Sequence, residues 1–244
     1  MIRQMLIVGG ASGIGLAAAV EMAGRDSVEK VFVVDKAPFP HQYRNDKIES
    51  YCFDLTSSDY SFFDTFLSVD ALFITAGFGK LALFKDVTEQ YVIDSFQVNT
   101  IPVMRLIKIF YGRLEARSDF YCGVMVSIAG FMSSPFFAVY GATKAALKVF
   151  IESVNVELAK AGTTNRILNV SPGSIKGTGF SQGKNDLSFT TPLANQILEH
   201  LEQKDDLFIP QYEEVFKAVL QRYHDDFRAE GSHSYDYKLN SGRV

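Results

Sequence analysis

Hydrophobic and polar positions along this 244-residue chain fall into short apolar runs separated by longer amphipathic stretches. The runs are MLIV at 5–8, VFVV at 31–34, SYCF at 50–53, ALFIT at 71–75, GVMVS at 123–127 and ILNV at 167–170. Most are continuously apolar rather than alternating, the pattern of strands buried on both faces. Between them the spacing predicts helices near 13–25, 57–67, 89–117 and 138–161. Strand–helix–strand alternation implies a parallel sheet with helices on both sides. No repeat, low-complexity segment or Pro/Ser-rich linker interrupts it. The expected fold class is α/β: a doubly wound parallel sheet in three αβα layers, one domain over residues 1–244.

Two regions break the rhythm. Residues 173–190, GSIKGTGFSQGKNDLSFT, are rich in Gly, Ser and Thr and read as a mobile loop over a ligand. Beyond them come a helix around 190–203, a short LFIP strand, a helix near 212–229 and a polar tail. The C-terminal helix and tail occupy about 211–244, and GSHSYDYKLNSGRV at the end shows no clear periodicity.

Composition narrows the function classes. Hydrophobic residues make up 47% and charged residues 21%, which excludes disorder, collagen and coiled coil. The formal charge of −4 gives no electrostatic footprint for nucleic acid or an anionic membrane. Cys52 and Cys122 fit neither a disulfide framework nor a metal site, as in a reducing compartment. No apolar stretch reaches the roughly 18 residues of a membrane span. The N-terminus meets glycines too early for a signal peptide. The expectation is a cytoplasmic protein without metal.

Directly after the first apolar run comes GGASGIG, with Gly9, Gly13 and Gly15 in the spacing GxxxGxG. A strand turning sharply so that a phosphate approaches its backbone has no room for side chains there. The following helix aims its free N–H groups and positive dipole end at a pyrophosphate. Glycines at this spacing arise by chance at about 0.1 places in such a chain. Asp35 closes VFVVD, 20 residues past Gly15, where a carboxylate accepts hydrogen bonds from a ribose diol. The same charge repels a 2′-phosphate, so NAD is expected ahead of NADP. Lys36 beside it is compatible with the phosphate, and a turn-capping Asp35 is the plainer alternative.

Tyr140 and Lys144 lie four residues apart in YGATK at the start of a long helix, on one face. Leu147, Ile151, Val154 and Leu158 continue that stripe. A phenol with an ordinary pKa of about 10 needs a neighbouring ammonium to work as an acid or base near neutrality. The pair alone is weak, because the Tyr and Lys content predicts about 0.6 accidental YxxxK matches. A second match, Tyr43 with Lys47, occurs in the polar stretch HQYRNDK and reads as a solvated loop. Context separates the two. Ser127 ends an apolar strand 13 residues before Tyr140, and Asn99 lies 28 residues before Ser127 in a helical stretch.

Together, GxxxGxG, Asp35, Asp54-Leu55, Asn99, Ser127 and YxxxK resemble the short, single-domain branch of the short-chain dehydrogenase/reductase family, with its Rossmann-type fold. The resemblance covers residues 1 to about 180 in order. It implies that Tyr140 is the general acid/base, that Ser127 orients a carbonyl, and that Lys144 lowers the Tyr140 pKa and holds a ribose. It implies that Asn99 holds a water relaying protons from Lys144. It places Asp54 and Leu55 along the adenine, with a structural turn residue before TSSD as the alternative for Asp54, and Ser12, Ile14, Ala76 and Gly77 at small contacts with the dinucleotide. Pro172, in SPG, begins a turn carrying the carboxamide, with Ile175 and Thr178 as contacts. The sequence departs from the pattern at Val8 and at Ile74-Thr75, which replace a threonine and two amides. Thr178 lies one residue late, and no Gly-rich segment follows the last strand.

Phe131, Met132, Phe136, Phe137, Phe180, Leu187 and Phe189 make the substrate neighbourhood apolar, with Lys176 and Lys184 as the nearby charges. The expected substrate is an uncharged alcohol or ketone interconverted by hydride transfer. A non-catalytic dinucleotide sensor on the same fold is the alternative; it predicts a lost Tyr or Lys, and both are present. A structural protein without cofactor is disfavoured by the intact glycine turn. By resemblance the chain forms a homodimer or homotetramer through the helices at 89–117 and 138–161.

Overall fold

The continuous apolar runs become strands whose alternate side chains serve two separate cores. The computed structural model describes residues 1–178 and 185–240. Among them, seven strands form one sheet: β1 (Gln4–Val8), β2 (Lys30–Asp35), β3 (Ile48–Cys52), β4 (Ala71–Ile74), β5 (Tyr121–Met125), β6 (Ile167–Val170) and β7 (Leu207–Phe208). Their spatial order is β3-β2-β1-β4-β5-β6-β7, and every pairing is parallel. The helices are α1 (Gly13–Ala23), α2 (Glu89–Asn99), α3 (Ile101–Ile109), α4 (Tyr111–Glu115), α5 (Ala138–Lys160), α6 (Leu187–Gln203), α7 (Lys217–Asp225) and α8 (Phe227–Asn240).

Met5, Ile7, Val31, Val33 and Phe73 point to one face, where α1 and α6 cover them. Leu6, Val8, Val34, Leu72 and Ile74 point to the other, beneath α3 and α5. Burial on both faces is why β1 and β4 read as unbroken hydrophobic runs. Truncating one of these fully buried side chains, such as Leu6→Ala, costs about 2–5 kcal/mol. The chain runs outward from β1 to β2 and β3, then returns to β4 on the other side of β1. The carboxyl ends of β1 and β4 therefore border the crevice where doubly wound sheets take ligands.

Several expectations change. Residues 57–67 hold a 3-10 turn, Ser61–Phe66, rather than an α-helix. Buried Phe63 and Phe66 pin it to the ring cluster of Tyr51, Phe53 and Phe62. The 89–117 stretch is three helices, broken at Thr100 (φ −121°, ψ −59°) and Phe110. Pro102 is the physical reason for the first break, since it has no N–H for the Val98 carbonyl. Residues 212–229 divide into a π-turn at Tyr212–Phe216, α7, and the start of α8, with Asp226 Oδ1 capping Arg228 and Ala229. The supposedly irregular tail is largely helical, as α8. Within 173–190, α6 already starts at Leu187, capped by Asp186. Phe180 and Lys184 lie outside the described residues. No helix among the described residues is long and apolar enough to cross a membrane.

Candidate active site

The glycine turn is built against the end of β4. Gly9 has φ +94°, and a Cβ there would lie 2.4 Å from the Ala76 nitrogen. A Cβ on Gly15 would lie 2.4 Å from both the Gly9 carbonyl and Thr75 Oγ1. Thr75, which sequence comparison shows only as a lost amide, donates its hydroxyl to the Gly9 carbonyl at 2.8 Å and ties β1 to β4. Ser12 precedes α1 without a side-chain cap, and the first turn of α1 carries no acidic residue. The Gly13 N–H instead donates to Asn185 Oδ1 at 3.1 Å. Thr178 is buried, with its methyl 3.4 Å from where a Gly13 Cβ would sit. Ile14 is buried behind the turn, and Ile175 is half-buried against the α1 side of the sheet.

Asp35 closes β2 beside this turn. Its Oδ2 accepts from the Ala11 N–H and its Oδ1 from the Ala37 N–H, both at 2.9 Å. The carboxylate thus both caps its own turn and braces the glycine loop. Lys36 turns away to pair with Asp54 at 2.9 Å. The Lys36 hydrogen bond, with further bonds from Thr56, holds the Asp54 carboxyl down at about 2. Leu55 is half-buried, and its carbonyl accepts from the Tyr60 hydroxyl at 2.6 Å.

Ser127, Tyr140 and Lys144 converge at the carboxyl end of β5. Ser127 lies two residues past the strand and accepts from the Ala129 N–H at 3.2 Å. It also donates toward the Pro172 carbonyl at 3.4 Å. Tyr140 and Lys144 sit on the inward face of the first turns of α5. The Lys144 ammonium is 5.6 Å from the centre of the Tyr140 ring and donates to the Met125 carbonyl at 2.8 Å. Burial pushes the Tyr140 phenol up to about 12; its hydrogen bond with Ser127 works against that, and the nearby Tyr91 phenol adds to it. Burial pushes Lys144 down to about 8. Both shifts follow from placing a charge in a low-dielectric site.

Asn99 ends α2 fully buried. Its amide clamps the Phe78 backbone, accepting from N–H at 2.9 Å and donating to C=O at 2.8 Å. A Cβ on Gly77 would lie 3.3 Å from Asn99 Oδ1 and 3.5 Å from Lys144 Nζ, so a side chain there would crowd both. The catalytic candidates and the glycine turn therefore face one crevice. Tyr43 and Lys47 stand apart in a largely exposed loop, as expected, although Tyr43 is half-buried on the α1 face and Lys47 donates to the Arg25 carbonyl.

Among the expected pocket residues, Phe137 meets Tyr140 with ring centres 5.3 Å apart, and Phe136 is buried beside it. Leu187 instead packs on the core beneath α1 and α6, and Phe189 is exposed on the outside of α6. Lys176 is exposed. Sequence reading missed Asn185, whose contact with Gly13 spans 172 positions, and Tyr91, one helix away from Tyr140.

The family model for short chain dehydrogenase matches residues 3–187, from β1 to the start of α6. The chain belongs to the short-chain dehydrogenase family. The family match spans every strand but β7, together with the glycine turn, Asp35, Asn99, Ser127, Tyr140 and Lys144. Within this family, an uncharacterized oxidoreductase of Saccharomyces cerevisiae is 28% identical over 191 residues, 72% of this chain and 60% of that protein. The chain thus matches less than two thirds of that relative's length. A short-chain dehydrogenase from Streptomyces avermitilis superposes with a TM-score of 0.74 at 20% identity, covering 98% of this chain and 99% of that one. A short-chain dehydrogenase from Sphingobium yanoikuyae, solved in complex with NADPH, gives 0.72 at 21% identity over 92% and 96% of the two chains. At such identities the structural likeness speaks for the fold.

Proposed function

We propose that this dehydrogenase interconverts a secondary alcohol and a ketone with NAD(P), NAD being preferred, and that Tyr140 is its general acid and base. The observation that carries this reading is the convergence of Ser127, Tyr140 and Lys144 in the crevice beside the glycine turn. An uncapped helix start free of acidic side chains suits a pyrophosphate, and the neutral amide oxygen of Asn185 occupies an acceptor position there. Gly9, Ser12, Gly13, Ile14 and Gly15 would hold the pyrophosphate and Asp35 a ribose diol. Asp54 and Leu55 would border the adenine; Ala76 and Gly77 would let the dinucleotide approach. Pro172, Ile175 and Thr178 would face the carboxamide. The preference for NAD rests on the Asp35 charge and on the engagement of Lys36 by Asp54.

The dinucleotide, when bound, supplies or takes the hydride. The chain handles the proton. At neutral pH Tyr140 is protonated, as a donor to a developing alkoxide must be, and Ser127 is placed to hold the same oxygen. The phenolate left behind is costly to bury. The Lys144 ammonium, mostly charged at pH 7, offsets that cost and would also bond the ribose. Asn99 fixes the Phe78 backbone and thereby the floor beside Lys144, consistent with a relay role.

The aromatic wall at Phe136 and Phe137 favours an uncharged substrate. Apolar side chains exposed on α2, α3 and α5, namely Ile93, Ile101, Val149 and Val156, favour self-association as a dimer or tetramer. The deciding experiment is hydride transfer with NAD and NADP over an alcohol and ketone panel, alongside Tyr140→Phe. Turnover with NAD that vanishes in the variant while NADH binding persists is expected. Equal turnover by Tyr140→Phe would remove the acid/base role.

A further inference from the structure

The C-terminal helix α8 lies against the loop between Ser127 and Tyr140. Its inward residues are Gly231, Ser234, Tyr235 and Lys238, at i, i+3, i+4 and i+7. A Cβ on Gly231 would lie 3.3 Å from Ser133 Oγ, a tight contact, so the helix packs closely on the loop here. Tyr235 stacks on Phe136 with ring centres 4.7 Å apart. Lys238 is buried and donates to Ser134 Oγ at 2.9 Å and to the Pro135 carbonyl at 2.8 Å. Its ammonium also lies 5.6 Å from the centre of the Phe137 ring.

These contacts converge on a strained point. Phe136 has φ +67°, a conformation that a bulky residue keeps only where its surroundings hold it. Tyr235 holds its ring, and the Ala82 N–H holds its carbonyl at 3.0 Å. The next residue, Phe137, is the ring neighbour of Tyr140 and immediately precedes α5. An unbroken path of contacts therefore runs from α8 through the 133–137 loop to the phenol.

We propose that α8 forms the outer wall of the substrate pocket and that Tyr235 and Lys238 are positioning residues, holding the 133–137 loop so that Phe137 sets the place of Tyr140 and the pocket admits uncharged ketones bearing a ring or long chain. Lys238 ties its ammonium to Ser134 and the Pro135 carbonyl, and the rings of Phe136, Phe137 and Tyr235 make up this side of the wall. The catalytic consequence rests on the oxidoreductase reading above; the grip on the loop does not.

The test uses the full chain with Lys238→Met, Lys238→Arg, Tyr235→Ala and Tyr235→Phe. Hydrogen exchange of residues 131–139 needs no substrate; in Lys238→Met and Tyr235→Ala it should quicken about tenfold while β1 and β4 are unchanged. With acetophenone and cyclohexanone as probes, the same variants should raise KM about tenfold at unchanged NADH affinity. Lys238→Arg and Tyr235→Phe should recover most of the loss, which a generally weakened fold would not allow. If Lys238→Met fails to fold, Tyr235→Ala carries the test. Unaltered exchange in residues 131–139 would overturn the proposal, and so would a KM that does not move in an enzyme that turns these probes over. A wild-type protein that binds neither NADH nor NADPH would sink the oxidoreductase reading alone, and the exchange result would still decide the role of α8.

Discussion

Replacing Lys144 by Met should make the protein more stable near neutrality while abolishing turnover. Lys144 is 3% exposed, and burial brings its pKa from 10.5 to about 8. Between those values the unfolded chain binds more protons than the folded one, so this group makes stability rise with pH. Below pH 8 both states are protonated and the full cost of burying the charge is present, about 3 kcal/mol. It falls to about 2 kcal/mol at pH 9 and below about 1 kcal/mol at pH 10. Met fills similar volume without the charge but leaves the Met125 carbonyl without its donor, a loss of about 1–2 kcal/mol. The variant should therefore be more stable by about 1–2 kcal/mol at pH 7, or roughly 2–8 °C in Tm. At pH 10 it should be no more stable than the wild type. Thermal unfolding of both proteins by circular dichroism between pH 6.5 and 10 tests this directly. A wild-type-to-variant difference that stays constant over that range would refute a buried, charge-strained Lys144.

Gly15→Ala should destabilise by about 1–3 kcal/mol and remove NADH binding, because its Cβ would lie 2.4 Å from Gly9 O and Thr75 Oγ1; a titration matching wild type would argue against that packing. Asn185→Ala should tighten NADH binding about fivefold, since it removes a hydrogen bond to Gly13 worth about 1 kcal/mol that a phosphate oxygen must displace. Weaker binding in fluorescence titration would instead make Asn185 a cofactor contact. Asp35→Ser should shift preference toward NADP about tenfold by deleting the charge that opposes a 2′-phosphate, read as the ratio of kcat/KM for the two cofactors.

The centre of the sheet was legible because strands such as β1 and β4 feed two cores at once, which leaves no polar positions in MLIV and ALFI, whereas the edge strand β3 is half-exposed. The site was legible where spacing is local: Tyr140 and Lys144 one turn apart, and three glycines on a tight strand–helix turn. Pro102 carried the signal for the break in the 89–117 stretch, but an amphipathic stripe running through it hid the interruption. The 61–66 turn was over-read because its phenylalanines mimic helical spacing while packing as a ring cluster. Helix α8 escaped because its inward face is Gly231, Ser234, Tyr235 and Lys238, not the apolar stripe that periodicity detects. Asn185 and Thr178 reach Gly13 through tertiary folding alone, which one-dimensional pattern does not encode. At Asp35 the turn-capping alternative is what the structure shows, since its two carboxylate oxygens accept from the Ala11 and Ala37 N–H groups; the ribose contact stays part of the proposal.

The pairing of α1 with α6 has a consequence for synthesis of the chain. Leu16, Ala17 and Met22 on α1 share one core with Ala194, Ile197, Leu198 and Leu201 on α6, and Arg25 pairs with Glu202. Some 160 residues separate the two helices, which at about 5–20 residues per second leaves the outer face of α1 bare for about 10–30 s on the ribosome. A nascent chain halted before Leu187 holds most of its strands and its glycine turn but carries a hydrophobic stripe with nothing to cover it. Until α6 (Leu187–Gln203) has been made, that stripe stays exposed, so closing this core is a late event in synthesis.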